Sequence, residues 1–215
     1  MKEIYKQSKL SIFIICIAII TWIIAIPFLP HDVPMQYNAN GGINWSANKF
    51  VAAIVMIGIM LFSYIITNLK IAKDKDQRKF SNIRSLNDLL NPLVQGFIYV
   101  ITLIVISNGL GYEISANFII PVLVGVLLII IGNYLPKVPK NNTLGIKNKW
   151  TKASEFVWKK THRFTALIYI IVGLMMFVLG LLHMINTVVT ITLIVILVLI
   201  PLLYSWYTYQ IVSKN

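Results

Sequence analysis

Six apolar segments constrain the fold of this chain more than any other feature of its sequence. They cover residues 10–29, 50–69, 89–110, 118–135, 164–185 and 188–207. A helix of about 20 apolar residues crosses the hydrocarbon core of a bilayer. Inside lipid, the backbone polar groups of each segment must be hydrogen-bonded within it, which favours helices. The sequence therefore predicts an all-α integral membrane protein with six transmembrane helices.

The distribution of basic residues predicts the orientation of these helices. Only one of the 19 Lys and Arg residues, Lys49, falls on the side of the membrane opposite the others. Short basic loops stay in the cytoplasm, so both termini are predicted to be cytoplasmic, in a multi-pass protein of the cell membrane that contacts membrane lipid. The net charge of +12 would suggest nucleic acid in a soluble protein. Here the charges fit orientation instead, and we expect no direct nucleic-acid binding.

The spans and loops also predict the organisation of the chain. Residues 1–69 would form an N-terminal two-helix unit with an outer loop at 30–49. Residues 70–88 would form a basic cytoplasmic loop, and residues 89–215 a C-terminal four-helix region whose inner loop covers 136–163. Two glycine pairs at helical spacing predict packing faces on the fourth and fifth helices: Gly125 with Gly132, and Gly173 with Gly180.

The sequence offers little for catalysis or ion transport. It contains no P-loop, dinucleotide-binding turn or zinc motif, and it has a single cysteine, Cys16. We therefore expect no catalytic residues, no cofactor and no metal. No ionisable residue lies near the middle of a span, which argues against a proton- or ion-coupled transporter. The neutral polar residues inside the spans are expected to form hydrogen bonds between helices.

The outer loop contains residues suited to recognition. Pro30 and Pro34 stiffen its start, and Asn40-Gly41-Gly42 is a turn signal. Tyr37 and Trp45 are amphipathic aromatics of the kind found at membrane surfaces. The loop is either a connector at the interface or a rigid outward surface that meets an extracellular ligand.

The inner loop is predicted to lead into the fifth span through a short interfacial helix. Thr151 is a plausible N-cap, and Glu155 would lie in the first turn. Trp150, Ala153 and Val157 share one helical stripe. The segment is either a lipid-surface anchor or a docking surface for a cytoplasmic partner.

Together the two loops resemble those of the SdpI family of bacterial immunity proteins. The outer loop is a degenerate form of the family's Pro-x-His-Trp-Asn core, with Gln36 and Tyr37 replacing His and Trp, and with Asn44 and Asn48 replacing a later Asp and Ser. The inner loop matches at Gly132–Lys137, Gly145-Ile146, Trp150-Thr151, Ser154 and Val157–Arg163. It has Lys147-Asn148-Lys149 where the family usually has Arg-Thr-Pro.

The resemblance implies resistance to a secreted antimicrobial peptide toxin, with signalling to a cytoplasmic repressor, and no enzymatic activity. The toxin would meet an outer set of residues: Pro34, Gln36, Tyr37, Asn38, Gly41, Asn44, Trp45 and Lys49. An inner docking motif would report its binding: Asn133, Pro136, Gly145, Trp150, Thr151, Trp158, Lys159, Thr161, His162 and Arg163. The alternative is a transporter of a small molecule or lipid.

Overall fold

The structure is a computed structural model that describes residues 9–38, 42–72 and 77–214, with the backbone alone for 70–72, 77–85 and 214. Its helices are α1 (Lys9–Ala25), α2 (Lys49–Ala72), α3 (Gln77–Gly109), α4 (Ala116–Tyr134), α5 (Lys149–Ala153), α6 (Glu155–Leu181) and α7 (Thr187–Lys214). Two strands, β1 (Asp32–Tyr37) and β2 (Ile43–Asn48), lie between α1 and α2.

Within these described residues, five helices are long and apolar enough to cross a membrane: α2, α3, α4, α6 and α7. The chain is therefore a mostly helical, multi-pass membrane protein. The α1 helix is apolar but has 17 residues, at the lower end of the range that spans a bilayer. A sixth span and the positions of the termini stay predictions.

Several helices extend beyond the predicted spans. The α3 helix begins at Gln77 rather than near residue 89, and α6 begins at Glu155 rather than near residue 164. Much of the predicted basic loop 70–88 is thus helical. Hydropathy locates the part of a helix that crosses lipid, whereas backbone hydrogen bonding continues through polar residues in water. The sequence pattern therefore underestimates helix length wherever a span continues into a charged segment.

The first compact unit comprises Met1–Leu69 and Asn87–Ile120. Its largest apolar cluster includes the fully or nearly fully buried side chains of Trp22, Val33, Ala52 and Met56. Val33 belongs to β1, so the hairpin shares a core with the helices. The antiparallel pairing of β1 with β2 contains register shifts around Gln36. This hairpin was not expected from the sequence, because Pro34, Asn and Gly are rare in regular strands.

The second compact unit comprises Lys70–Leu86 and Pro121–Asn215. Its α4 and α6 helices pack through the two predicted glycine faces, which confirms that expectation. A Cβ added to Gly125 would lie 2.6 Å from the carbonyl oxygen of Gly173. A Cβ on Gly132 would lie 2.9 Å from the Ala166 oxygen, and one on Gly180 would lie 2.9 Å from Val122 Cγ2. Such distances leave no room for a side chain.

Candidate functional site

The hairpin is anchored to the end of α1 by Lys49. The Nζ atom of Lys49 donates hydrogen bonds to the carbonyl oxygens of Ile26 at 2.9 Å and Leu29 at 2.8 Å. These carbonyls follow the last turn of α1, where a helix leaves acceptors unsatisfied. The ammonium group of Lys49, one of the predicted toxin-facing residues, is therefore engaged in holding the hairpin in place.

A second loop, residues 111–117, completes the surface beside the hairpin. The side chain of Asn108 holds this loop through Oδ1, which accepts from Ile114 N at 2.7 Å, and Nδ2, which donates to Ile114 O at 3.1 Å. Asn117 Nδ2 then donates to the carbonyl oxygen of Asn38 at 3.0 Å. No role for this short loop was predicted, since nothing in its sequence signals a contact with residues nearly 80 positions away.

A cleft of about 570 Å³ lies between the hairpin and the 111–117 loop. We call it the hairpin cleft. Two predicted toxin-facing residues, Pro34 and Tyr37, line it, together with Ile43, Asn108 and the loop itself. Tyr37 is half-buried, and its hydroxyl oxygen is buried without a hydrogen-bond partner among the described residues. A buried hydroxyl left without a partner costs about 1–3 kcal/mol.

The other predicted toxin-facing residues lie elsewhere on the hairpin. Gln36, Asn44 and Trp45 are exposed on its strands. The Oδ1 atom of Asn38 accepts a hydrogen bond from Gly42 N at 2.9 Å, which closes the turn. Gly41 lies outside the described residues. The predicted set therefore divides into residues that line the cleft, residues that face outward and residues that shape the hairpin.

An apolar cavity of about 490 Å³ adjoins the same loop at the ends of α1 and α3. Thr21, Ile24, Phe28 and Leu110 line it. Tyr112, whose side chain is 66% exposed, lines both this cavity and the hairpin cleft. The hairpin cleft and an apolar cavity are thus adjacent at one end of the first unit.

The basic motif loop, residues 136–163, packs around two buried rings in the second unit. Trp158 and His162 are fully buried and their rings stack at 4.1 Å between centroids. Trp158 Nε1 donates to the carbonyl oxygen of Val138 at 2.8 Å. We call Val138, Gly145, Ile146, Trp158 and His162 the Trp158 cluster.

The hydrogen bonds of His162 determine its tautomer. Its Nε2 atom accepts from the Ile146 backbone N–H at 3.1 Å, and its Nδ1 atom donates to the Trp158 carbonyl oxygen at 2.8 Å. The ring is therefore neutral with its proton on Nδ1. Gly145 has a φ of +98°, and a Cβ there would lie 2.3 Å from Nε2 of His162. The glycine of this motif is required by both the backbone conformation and the space.

The helix start in this loop differs from the prediction. The N-cap of α5 is Asn148, not Thr151: its side chain accepts from the backbone N–H groups of Trp150 and Thr151. Thr151 occupies the third helical position, and its hydroxyl accepts from Asn148 N at 3.0 Å and donates to Ile146 O at 2.9 Å. Ser154 interrupts the predicted stripe, because it is extended and caps α6. Glu155 lies in the first turn of α6, as predicted.

Two residues for which no role was predicted organise the motif and connect it to the rest of the unit. Asn148 Nδ2 donates to Ser205 Oγ on α7 at 2.8 Å. Asn141 organises the preceding turn, because its Oδ1 accepts from the backbone N–H groups of Thr143 and Leu144. In a loop of Lys, Asn and Thr, the sequence does not distinguish an asparagine with a structural role from its neighbours. That role depends on hydrogen-bond partners that only the fold brings near.

Burial divides the predicted docking motif. Thr151, Trp158, Thr161 and His162 are fully buried. Trp150 is half-buried and lines a cavity of about 280 Å³ with Trp206. The exposed members of the motif are Asn133, Pro136, Gly145, Lys159 and Arg163. Direct contact with a partner in this conformation is thus open to Lys159 and Arg163, whereas Trp158 is placed to hold the loop's conformation.

Fold and site together define a multi-pass membrane protein of the cell membrane with an exposed hairpin and a buried, hydrogen-bonded motif loop. Residues 137–205 match the SdpI/YfhL protein family, and residues 13–61 match a domain of unknown function, DUF1648. The chain is 29% identical over 177 residues to Immunity protein SdpI of Bacillus subtilis (strain 168), covering 81% of each protein. No solved structure shows a significant match. These matches confirm the resemblance to the SdpI family inferred from the two loops.

The two matched regions coincide with the two structural features described above. The region 13–61 contains the whole hairpin and Lys49, and the region 137–205 runs from the start of the Trp158 cluster to Ser205. The loop 111–117, which completes the hairpin cleft, lies in neither region.

Proposed function

We propose that this protein is an immunity protein that gives its cell resistance to a secreted antimicrobial peptide toxin. The observation that carries this proposal is the similarity to Immunity protein SdpI over 81% of both chains. The hairpin supports it, because a recognition surface must be held rigidly and Lys49 and Asn117 fix both ends of this one. The protein acts by binding, and we propose no enzymatic step.

The proposal includes the orientation predicted from charge. With six spans the hairpin lies outside the cell and the basic motif loop lies in the cytoplasm. Single cysteines in a Cys16→Ser background test this with a membrane-impermeant thiol reagent. Tyr112→Cys should react in intact cells, and Asn142→Cys should react only after lysis; both native side chains are exposed. Labelling of Asn142→Cys in intact cells would contradict the orientation.

A second part of the proposal is signalling to a cytoplasmic repressor. The exposed basic side chains of Lys159 and Arg163 supply the contact surface, and the buried Trp158 cluster holds the loop that presents them. Peptide binding would alter the population of this loop conformation. This role is tested by pull-down of cytoplasmic proteins with the wild type and with a Lys159→Gln, Arg163→Gln variant at equal membrane levels.

Protection itself is tested by expression in a sensitive bacterial host. Cells that contain the protein should tolerate higher concentrations of at least one pore-forming or depolarising peptide than cells with an empty vector. Membrane depolarisation, followed with a potential-sensitive dye, should be reduced in parallel. Unchanged tolerance across a broad panel, with the protein verified in the membrane, would contradict the proposal. Substrate flux into vesicles would then test the alternative, a transporter.

A further inference from the structure

We infer that the hairpin cleft, together with the apolar cavity beside Tyr112, is the binding site for a cationic amphipathic peptide. This inference rests on the proposed immunity function and names the peptide's site and chemistry. It assigns recognition to the 111–117 loop as well as to the hairpin. The shape and the charge of the cleft support this assignment.

The cleft is preformed. Asn108 holds both the N–H and the carbonyl of Ile114, and Asn117 joins the loop to the hairpin at Asn38. Val33 of β1 is completely buried, and a Cβ added to Gly109 would lie 2.9 Å from its Cγ1. Walls held in this way lose little conformational freedom when a ligand binds. A volume of about 570 Å³ accommodates one or two side chains and the backbone between them.

The charge of this surface favours a cation. Among described residues 30–38, 42–49 and 111–117, the carboxylates are Asp32 and Glu113, and the only Lys is Lys49. The Lys49 ammonium is engaged by two carbonyl oxygens of the α1 end. The His31 ring lies 3.1 Å from Asp32. Glu113 is exposed and lines the cleft, so it is the group placed to meet an ammonium or guanidinium of the ligand.

The neighbouring cavity makes the site amphipathic. Ile24 and Phe28 are exposed in the last turn of α1 and the segment after it, and Leu110 follows the end of α3. Tyr112 lines both this cavity and the hairpin cleft, which contains Glu113. A peptide with one cationic and one apolar face would place the first against Glu113 and the second against Ile24 and Phe28.

The experiment uses the full chain in nanodiscs of neutral phosphatidylcholine, so that anionic lipid does not attract the probe. The probes are a fluorescent synthetic amphipathic peptide of leucine and lysine, and a leucine–glutamate peptide of the same length. Binding of the lysine peptide above empty nanodiscs is expected. Glu113→Gln should weaken it about tenfold, because a hydrogen bond to a charged group is lost.

The matched control is Asp32→Asn, which removes the same charge from the hairpin outside the cleft and should change binding less than twofold. Equal losses in Glu113→Gln and Asp32→Asn would overturn the inference, as would equal binding of the two peptides or no binding of the lysine peptide. Failure of the proposed function is distinguishable. If cells with Glu113→Gln keep full protection, the assignment of the cleft is wrong and the immunity proposal stands. If the lysine peptide binds at the cleft but the wild type gives no protection, the immunity proposal is wrong and the cleft assignment stands.

Discussion

Replacement of Gly145 by alanine should destabilise the protein through a collision with His162. The backbone of Gly145 has a φ of +98°, and this left-handed conformation costs a non-glycine residue about 1–2 kcal/mol. The new Cβ would lie 2.3 Å from Nε2 of His162, so the ring must move and lose its hydrogen bond from Ile146. Leaving these buried groups unpaired adds about 1–3 kcal/mol. We expect a total loss of about 2–5 kcal/mol in the free energy of unfolding.

Gly111 provides the matched control. Its φ is +92°, and nothing lies within 4 Å of a Cβ placed there. Gly111→Ala should therefore show the backbone cost alone, about 1–2 kcal/mol. Both substitutions reduce the freedom of the unfolded chain to a similar extent, so that contribution cancels in the comparison.

The measurement is equilibrium unfolding of purified protein in mixed detergent–SDS micelles, followed by tryptophan fluorescence. A double-mutant cycle with His162→Ala isolates the collision. In the His162→Ala background, the cost of Gly145→Ala should fall towards that of Gly111→Ala, and the Trp158 ring, 3.2 Å from the same Cβ, accounts for the remaining difference. If Gly145→Ala costs no more than Gly111→Ala in the wild-type background, the close approach of His162 is not the reason that position 145 requires glycine.

Three further substitutions test the packing of the second unit by thermal stability in detergent. Gly173→Ala should lower the unfolding midpoint, because its Cβ would lie 2.7 Å from the Gly125 carbonyl oxygen. The control is Gly58→Ala, whose Cβ has open space and which should raise the stability by about 0.5–1 kcal/mol. Equal effects of the two substitutions would contradict the glycine packing. Trp158→Ala should lower the free energy of unfolding by about 3–5 kcal/mol, because a large buried side chain is replaced by a small one. The control, Lys152→Gln at an exposed position, should change it by no more than about 0.5 kcal/mol. A wild-type midpoint for Trp158→Ala would refute its structural role. Asn141→Ala removes the acceptor of two backbone N–H groups and should cost about 1–3 kcal/mol. An unchanged midpoint would contradict this role of Asn141.

The hairpin and the long helices show why element boundaries were predicted less well than element existence. Alternation of polar and apolar residues is weak in β1 and β2, and Pro34 lies inside β1. Pairing across the hairpin and burial of Val33 against the helices outweigh this poor strand propensity. The extension of α3 back to Gln77 arises from hydrogen bonding that hydropathy does not measure.

The lining of the hairpin cleft could be predicted from the sequence only in part, for a similar reason. Pro34 and Tyr37 were identified through the family resemblance and do line the hairpin cleft. Glu113 and Tyr112 were missed, because a short connecting loop carries no signal of the surface that it completes. Asn148 was missed as a cap because Thr151, three residues later, fits the same sequence preference.

The sequence by itself determined the membrane class, the apolar segments and the family resemblance, because these depend on composition, length and local motifs. The glycine faces of α4 and α6 also followed from spacing alone. Only the tertiary structure decided that Trp158 and His162 are buried and stacked, that Lys49 is engaged by the end of α1, and that the 111–117 loop meets the hairpin. These features are contacts between residues distant in sequence, and their partners are specified by packing that no local pattern encodes.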